Sequence, residues 1–412
     1  MEFIADFHIH SKYSRATSPE MDVAHLAQWA KLKGISLMGT GDFTHHLWLE
    51  ELKHKLEDCG NGLFKYADVY FMLTAEISSI YSKAGKGYRI HNLIFAPSFA
   101  AVDKINNALM SRGANLSSDG RPIIGLPAAE LARIVFDIDE NCMIVPGHIW
   151  TPWFSLFGSM SGFDRIEDCF EEQTSKIFAL ETGLSSDPAM NWRLSALDKF
   201  TLISNSDSHS PQKIGREANV FDCELDYQTI REVLKTKDKN RFLYTIEFFP
   251  EEGKYHFDGH RLCGIRWSPQ ETKEHNGKCS KCGKPVTVGV VSRVEKLADR
   301  PEGFKPPNAI PFKNLIPLDE IIASAKGLGK ASVNVQRDYR LYLNQFGTEF
   351  EILLKASKEE LLKGLSSKVA EGVLLARQGK VNIKPGYDGE YGTVSVFEES
   401  PATKNEEQLN LF

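Results

Sequence analysis

No run of 18 apolar residues occurs in the 412-residue chain, which excludes a membrane-spanning helix. Cysteine is sparse. Of the seven, Cys59, Cys142, Cys169 and Cys223 are scattered, which excludes a disulfide-stapled secreted fold and fits a reducing compartment. The opening MEFIADFHIH places Asp6 and two histidines inside its apolar stretch, so it does not read as a secretory signal, and a cytoplasmic protein is expected. Hydrophobic residues at 42% and charged residues at 25% exclude a disordered chain. A strong charge of one sign is missing too: the net charge is −6, which by itself argues against a nucleic-acid partner.

That number hides an asymmetry. Residues 1–252 carry net −10, residues 253–330 net +6 and residues 331–412 net −2. The first piece, about 1–250, alternates short apolar runs with helical patterns. Strands are expected at Phe3–Phe7, Leu37–Gly39, Tyr70–Ala75, His91–Ala96, Met143–Pro146, Phe178–Glu181 and Thr201–Ser204. Helices are expected at Met21–Lys33, capped by Asp22 or Ser18, and at Ala128–Asp137. Repeated strand–helix units over ~250 residues predict a parallel α/β barrel. Residues 251–300 read as a small basic module. Residues 301–317 hold five prolines and read as a linker or extended crossing segment, leading to a helical module up to about 397. Residues 398–412 read as a polar, flexible tail.

Polar residues at the expected strand ends form the strongest signal. His8 and His10 lie two apart, on one face of a strand. Asp42 closes the second run, Glu76 the third, and His148 follows the fifth. Asp207 and His209 follow the seventh, whereas His91 opens its run instead of ending it. In a parallel barrel such residues converge on one mouth. Imidazoles and carboxylates suit Zn, Mn or Fe, and mixed carboxylate sites accept Mg. Two or three divalent metals together would activate water for phosphate-ester hydrolysis. Asp207 is the leading catalytic candidate, as a ligand that also holds the attacking water. Arg15 is a candidate phosphate contact or a plain surface residue. Trp150, Trp153 and Phe154 are candidates for walling a pocket or for core packing.

Over residues 1–245 this pattern resembles the PHP (polymerase and histidinol phosphatase) metallohydrolase family. The resemblance implies a distorted (β/α)7 barrel holding up to three metals, with Glu76 as bridging carboxylate and His8, His10, His91, His148, Asp207 and His209 as ligands. Two departures stand out. Asp42 occupies the place of the usual histidine of a Thr-Asp-His triplet. The family's extra ligand after the first motif has no counterpart among Ser14, Arg15 and Ala16.

Downstream, His260 and Cys263 (HxxC) precede Cys279 and Cys282 (CxxC) with structural-zinc spacing. His256 and His275 are rival fourth ligands. The surrounding Arg261, Arg266, Lys281 and Lys284 suit DNA phosphate, and Arg293 and Arg300 belong to the same basic run. Gly327, Gly329 and Lys330 sit in a stretch that resembles a helix-hairpin-helix turn, with a plain helical hairpin as the alternative. A weaker echo spans 357–372. Gln408, Leu409, Leu411 and Phe412 resemble the QLxLF peptide that docks on the bacterial sliding clamp.

Taken together, these features resemble the endonuclease Q family of DNA repair enzymes over nearly the full length, including KYHFDGHRLCG and PGYDGEYG. The resemblance implies nicking 5′ of deaminated bases (hypoxanthine, uracil, xanthine) and abasic sites, leaving 3′-hydroxyl and 5′-phosphate ends. It implies as partners damaged duplex or single-stranded DNA and the bacterial sliding clamp, a nucleoid-associated location, and a monomer. A small-molecule phosphatase of the histidinol-phosphate type is the second reading. The third is a clamp-tethered DNA-binding scaffold. Neither needs both the near-complete ligand set and the extra ~160 residues.

Overall fold

The computed structural model describes residues 1–397. The clamp-type peptide Gln408, Leu409, Leu411 and Phe412 lies outside the described residues. All seven expected strands are present: β1 (Glu2–Asp6), β2 (Leu37–Gly39), β3 (Val69–Lys83), β4 (Lys86–Ala96), β5 (Met143–Pro146), β6 (Ala179–Glu181) and β7 (Thr201–Ile203). Three later strands join the central sheet: β8 (Ala218–Asp222), β9 (Phe242–Glu247) and β10 (Phe312–Asn314). The expected helices form at Val23–Lys33 and Ala128–Ile138. The Asp22 carboxylate caps the first by accepting from the His25 N–H.

The architecture is mixed α/β around a central sheet. Its ladder runs β10-β9-β8-β1-β2-β3 and continues through β4 to β5, while β6 and β7 pair only with each other. The strands are not all parallel, which corrects the parallel barrel expected from the sequence. β1–β2, β2–β3 and β6–β7 are parallel, but β3–β4, β4–β5 and β1–β8 are antiparallel. The long β3–β4 hairpin is the main reason, since its short Ala84-Gly85 turn can only reverse the chain. Inward side chains of β1–β8 still meet in one apolar cluster, among them Ala5, Leu37, Met72, Leu93, Val145, Ala179, Ile203 and Phe221. Helices bury the outer faces.

The proline-rich stretch is not a free linker: Phe312–Asn314 adds to the sheet beside β9 in parallel. Four helices follow at Leu318–Lys326, Val333–Phe346, Lys358–Gly364 and Ser367–Arg377. Gly327 ends the first in the left-handed conformation (φ 65°), and Ser332 caps the second. The C-terminal helices are locked to the α/β core by a buried ion pair, Lys33 Nζ to Glu349 Oε2 at 2.9 Å. No helix of the described residues is long and apolar enough to cross a membrane.

Candidate metal centre and nucleic-acid interface

The ends of β1, β2, β5, β6 and β7 and the middles of β3 and β4 converge on one mouth. Because β4 runs antiparallel, the centre of the strand delivers His91, opposite Ser78 and two pairs from Glu76. Donor atoms form two groups, each spanning less than 4.8 Å. One holds His8, His10, Glu76 and Asp207; the other holds Glu76, His91 and His148. The two Glu76 oxygens divide between them. Oε2 lies 3.2 Å from His10 Nε2 and 3.5 Å from His8 Nε2. Oε1 lies 2.5 Å from His91 Nδ1 and 3.1 Å from His148 Nε2.

The tautomers follow from what stands behind each ring. His8 Nδ1–H donates to Glu181 (3.1 Å to each oxygen), His10 Nδ1–H to Asp42 Oδ1 (3.0 Å) and His148 Nδ1–H to Thr151 Oγ1 (3.1 Å). Each Nε2 lone pair therefore faces carboxylate oxygens. His8 Nε2 is buried without a hydrogen bond. Acceptors converging on acceptors repel unless a cation lies between them, so the donor set fits divalent metals. Burial would lower His8 and His10, but Glu181 at the first and Asp42 at the second, with Asp207 and Glu76, hold both well above the usual imidazole range, a pull toward positive charge that a metal would answer. Burial would raise the Glu76 carboxyl, but His91, Arg121 and His8 hold it well below the usual range. Burial likewise opposes ionisation of Asp207, and His8 and His10 outweigh it. Burial drives His91 down to about 4, against the pull of Glu76.

Two of the predicted ligands stand apart from these groups. Asp42 Oδ2 is already filled by the Ser11 N–H (2.6 Å), the Ser11 hydroxyl (2.7 Å) and the Ser14 hydroxyl (2.8 Å), while Oδ1 holds His10. It lies behind the imidazole, where a metal ligand's orienting partner lies. His209 Nδ1–H donates to the Asp207 carbonyl (3.0 Å), and its ring lies tilted against His10, 4.5 Å between centroids, on the solvent side. Asp42, His148 and Asp207 all adopt positive φ (49°, 30° and 47°), at a cost of about 1–3 kcal/mol each. Such backbone at three residues of one mouth is held by what surrounds it.

Glu181 and Arg121 are part of the site without belonging to any predicted motif. Fully buried Glu181 also accepts from the His148 N–H (2.8 Å) and Asn205 (2.8 Å). It ends β6, so the strand-end rule that picks out Glu76 applies to it as well. Arg121 comes from a loop, where no pattern marks it. Of the aromatic candidates, Trp150 is core: it is fully buried and donates to Asn191. Phe154 leans on His91 (4.9 Å between rings), while Trp153 is 41% exposed, with the Arg89 guanidinium over both rings. Arg15 points outward to Asp119.

The second cluster is in the small module. His260, Cys263, Cys279 and Cys282 bring their donor atoms within 4.8 Å, the first two from a hairpin of Asp258–His260 with Ile265–Trp267 and the last two from a turn bridged by Lys278 and Pro285. Burial would raise the Cys279 thiol, but the N–H groups of Lys281 and Cys282 at its sulfur draw it down to about 7. The rivals are engaged elsewhere: His256 is buried beside Phe257, and His275 stacks on Trp267 at 4.2 Å. Arg261, Arg266, Lys281 and Lys284 are exposed around the cluster, although Lys281 also holds the Cys263 carbonyl (2.7 Å). The PGYDGEYG run clasps this module. Asp388 accepts from the Arg261 N–H (2.6 Å) and the Thr287 hydroxyl (2.5 Å). Gly327, Gly329 and Lys330 lie in the turn between the first two C-terminal helices, with Lys330 paired to Glu320 (3.0 Å).

A family model described as the MJ0043 C-terminal domain matches residues 317–380. Protein YqxK of Bacillus subtilis is 29% identical over 410 residues, 95% of this chain and 98% of its own length. Protein MJ0043 of Methanocaldococcus jannaschii is 37% identical over 271 residues, and the chain spans about a third of that relative (33%). Among solved structures, the lesion-specific endonuclease PfuEndoQ from Pyrococcus furiosus superposes with a TM-score of 0.87 at 32% identity, covering 96% of this chain and 95% of that one. The chain belongs to the endonuclease Q family. A second endonuclease Q structure, in complex with a 27-mer duplex with an abasic lesion at the active site, matches at TM-score 0.85 and 32% identity over 97% and 98% of the two chains. The likeness to both endonuclease Q structures thus covers nearly the whole chain.

Proposed function

We propose that this endonuclease hydrolyses the phosphodiester on the 5′ side of a damaged nucleotide, leaving 3′-hydroxyl and 5′-phosphate ends. The substrates are deaminated bases (hypoxanthine, uracil, xanthine) and abasic sites in DNA. The observation that carries the reading is the pair of ligand groups sharing Glu76, in a chain that aligns over 96% of its length with a lesion-specific endonuclease.

His8, His10, Glu76 and Asp207 would hold one divalent cation and Glu76, His91 and His148 a second, with Zn, Mg and Mn as candidates; His209, at the rim, would serve a third if one binds. Such cations lower the pKa of a bound water and offset charge on the leaving oxygen. The protein's part is to aim the lone pairs. Asp42, Glu181 and Thr151 fix the rings of His10, His8 and His148. Asp207, the ligand of the first group with its side chain partly open to solvent (26%), is suited to hold the attacking water. Phe154, Trp153 and Arg89 offer a stacking face for a nucleotide rotated out of the helix, a rotation that damage makes less costly. His260, Cys263, Cys279 and Cys282 would hold a structural zinc. Arg261, Arg266, Lys281 and Lys284, with the turn at Gly327, Gly329 and Lys330, would contact backbone phosphates.

The test uses labelled duplexes with a single deoxyinosine, deoxyuridine or abasic site, plus Mg or Mn, alongside an Asp207→Ala variant. The parent should nick only damaged strands, the variant should not, and DNA ligase should reseal a nick with these ends made in an otherwise intact strand. No lesion-dependent nick, or equal cutting by the variant, would overturn the reading.

A further inference from the structure

The loop that carries Arg121 crosses the mouth and is pinned on both sides. Gly120 N–H donates to the Tyr13 carbonyl (3.1 Å), and the Thr44 hydroxyl donates to the Gly120 carbonyl (3.2 Å). Beyond it, Ser78 N–H donates to the Pro122 carbonyl (3.0 Å), and Ile123 pairs with Ser78 of β3. The Arg121 N–H donates to Asp119 Oδ1 (3.1 Å). This backbone aims the side chain inward until Nη1 reaches Glu76 Oε2 at 3.2 Å, the oxygen that also faces His8 and His10. The side chain is only 26% exposed. That bond to Glu76 uses one of five guanidinium donors. A largely desolvated, planar cation beside a bridging carboxylate, with most of its donors unspent, matches a tetrahedral phosphate.

We propose that Arg121 is a catalytic residue of the cleavage, its remaining donors binding a non-bridging oxygen of the scissile phosphate. This rests on the reading of the preceding subsection. In the reaction water oxygen bonds to phosphorus and loses a proton, while the P–O3′ bond breaks and O3′ takes up a proton. Charge gathers on the equatorial oxygens in between, where a fixed guanidinium stabilises it without reorganising. Arg15 has a side chain 79% exposed and turned to Asp119, and it has no such approach.

The full chain and its Arg121→Ala and Arg121→Lys variants are compared by bound metal per chain, by calorimetric titration of the metal-loaded protein with inorganic phosphate, and by kcat on an abasic duplex. Arg121→Ala should keep its metal, bind phosphate about 10-fold more weakly and lose about 100-fold in kcat. Arg121→Lys should recover part of both, keeping the charge but not the fork. Phosphate affinity and kcat within 2-fold of the parent would overturn the proposal. So would metal lost in step with kcat, which would make Arg121 a positioning residue for Glu76. If the parent fails to nick damaged DNA, the substrate reading falls, while the phosphate titration still decides the case of Arg121.

Discussion

Asp42 acts on the metal centre through His10. Its Oδ1 fixes the imidazole tautomer and its Oδ2 gathers three donors, so removing its charge loosens a ligand without removing one. Orienting carboxylates of this kind are typically worth about 10–100-fold in metal affinity. Asp42→Asn should therefore weaken metal binding by about that factor, read by titration with Mn and by metal content after dialysis. Gly120→Ala should reproduce the defect from outside the ligand set. A Cβ there would lie 2.3 Å from Asp42 Oδ2 and 2.4 Å from the Ser14 hydroxyl, and both are held by the bonds just described. An Asp42→Asn variant with parental metal affinity would show that the carboxylate is mere packing.

Among the elements, β1, β2, β5 and β7 were legible because each is a short apolar run ending in a residue suited to a metal. Periodicity does not encode strand direction, so the antiparallel β3–β4 hairpin was not legible. Lys86-Gly-Tyr-Arg made His91 look like a strand's first residue when it is the sixth of eleven. β10 was hidden by its prolines. The buried Lys33–Glu349 pair was hidden too, because it joins segments over 300 residues apart and neither charge carries a local pattern. That pair makes an element-scale prediction. Burial alone would raise the Glu349 carboxyl, but Lys33, with Tyr339 Oη–H donating at 2.6 Å, holds it below its usual value. A carboxyl lowered on folding contributes stability above its unfolded pKa of about 4.3, and the contribution is lost as pH falls through the folded value. Lys33→Met leaves Glu349 buried and unpaired, and should cost about 3–5 kcal/mol in urea unfolding at pH 7. The difference from the parent should shrink below about pH 4. An unchanged midpoint at pH 7 would mean that the helical module is not held by this pair.

For the whole molecule, the net charge of −6 is a sum over modules with different tasks. The acidity of residues 1–252 includes Glu76, Asp207 and the buried Asp42 and Glu181, all gathered at one centre. The +6 segment is not all available to DNA either. Arg293 is buried, donating to the Phe157 and Phe163 carbonyls and to Asp164, and Arg300 pairs with Asp198. These two dock the small module on the α/β core, while Arg261, Arg266 and Lys284 stay exposed. Changing those three to Gln should lower the slope of log affinity against log salt by about one per lost phosphate contact, equally for damaged and intact duplexes. The resemblance of Gln408, Leu409, Leu411 and Phe412 to a clamp-docking peptide makes a prediction at this scale as well. A short peptide on a tether adds effective concentration near a partner and contributes no chemistry. Deleting residues 408–412 should therefore abolish co-purification with the bacterial sliding clamp, yet leave kcat on a short lesion duplex without the clamp within 2-fold of the parent. Clamp binding that survives the deletion would place the docking surface elsewhere on the chain. A kcat that falls on the short duplex would mean that the tail reaches the active site, and that its role is not confined to tethering.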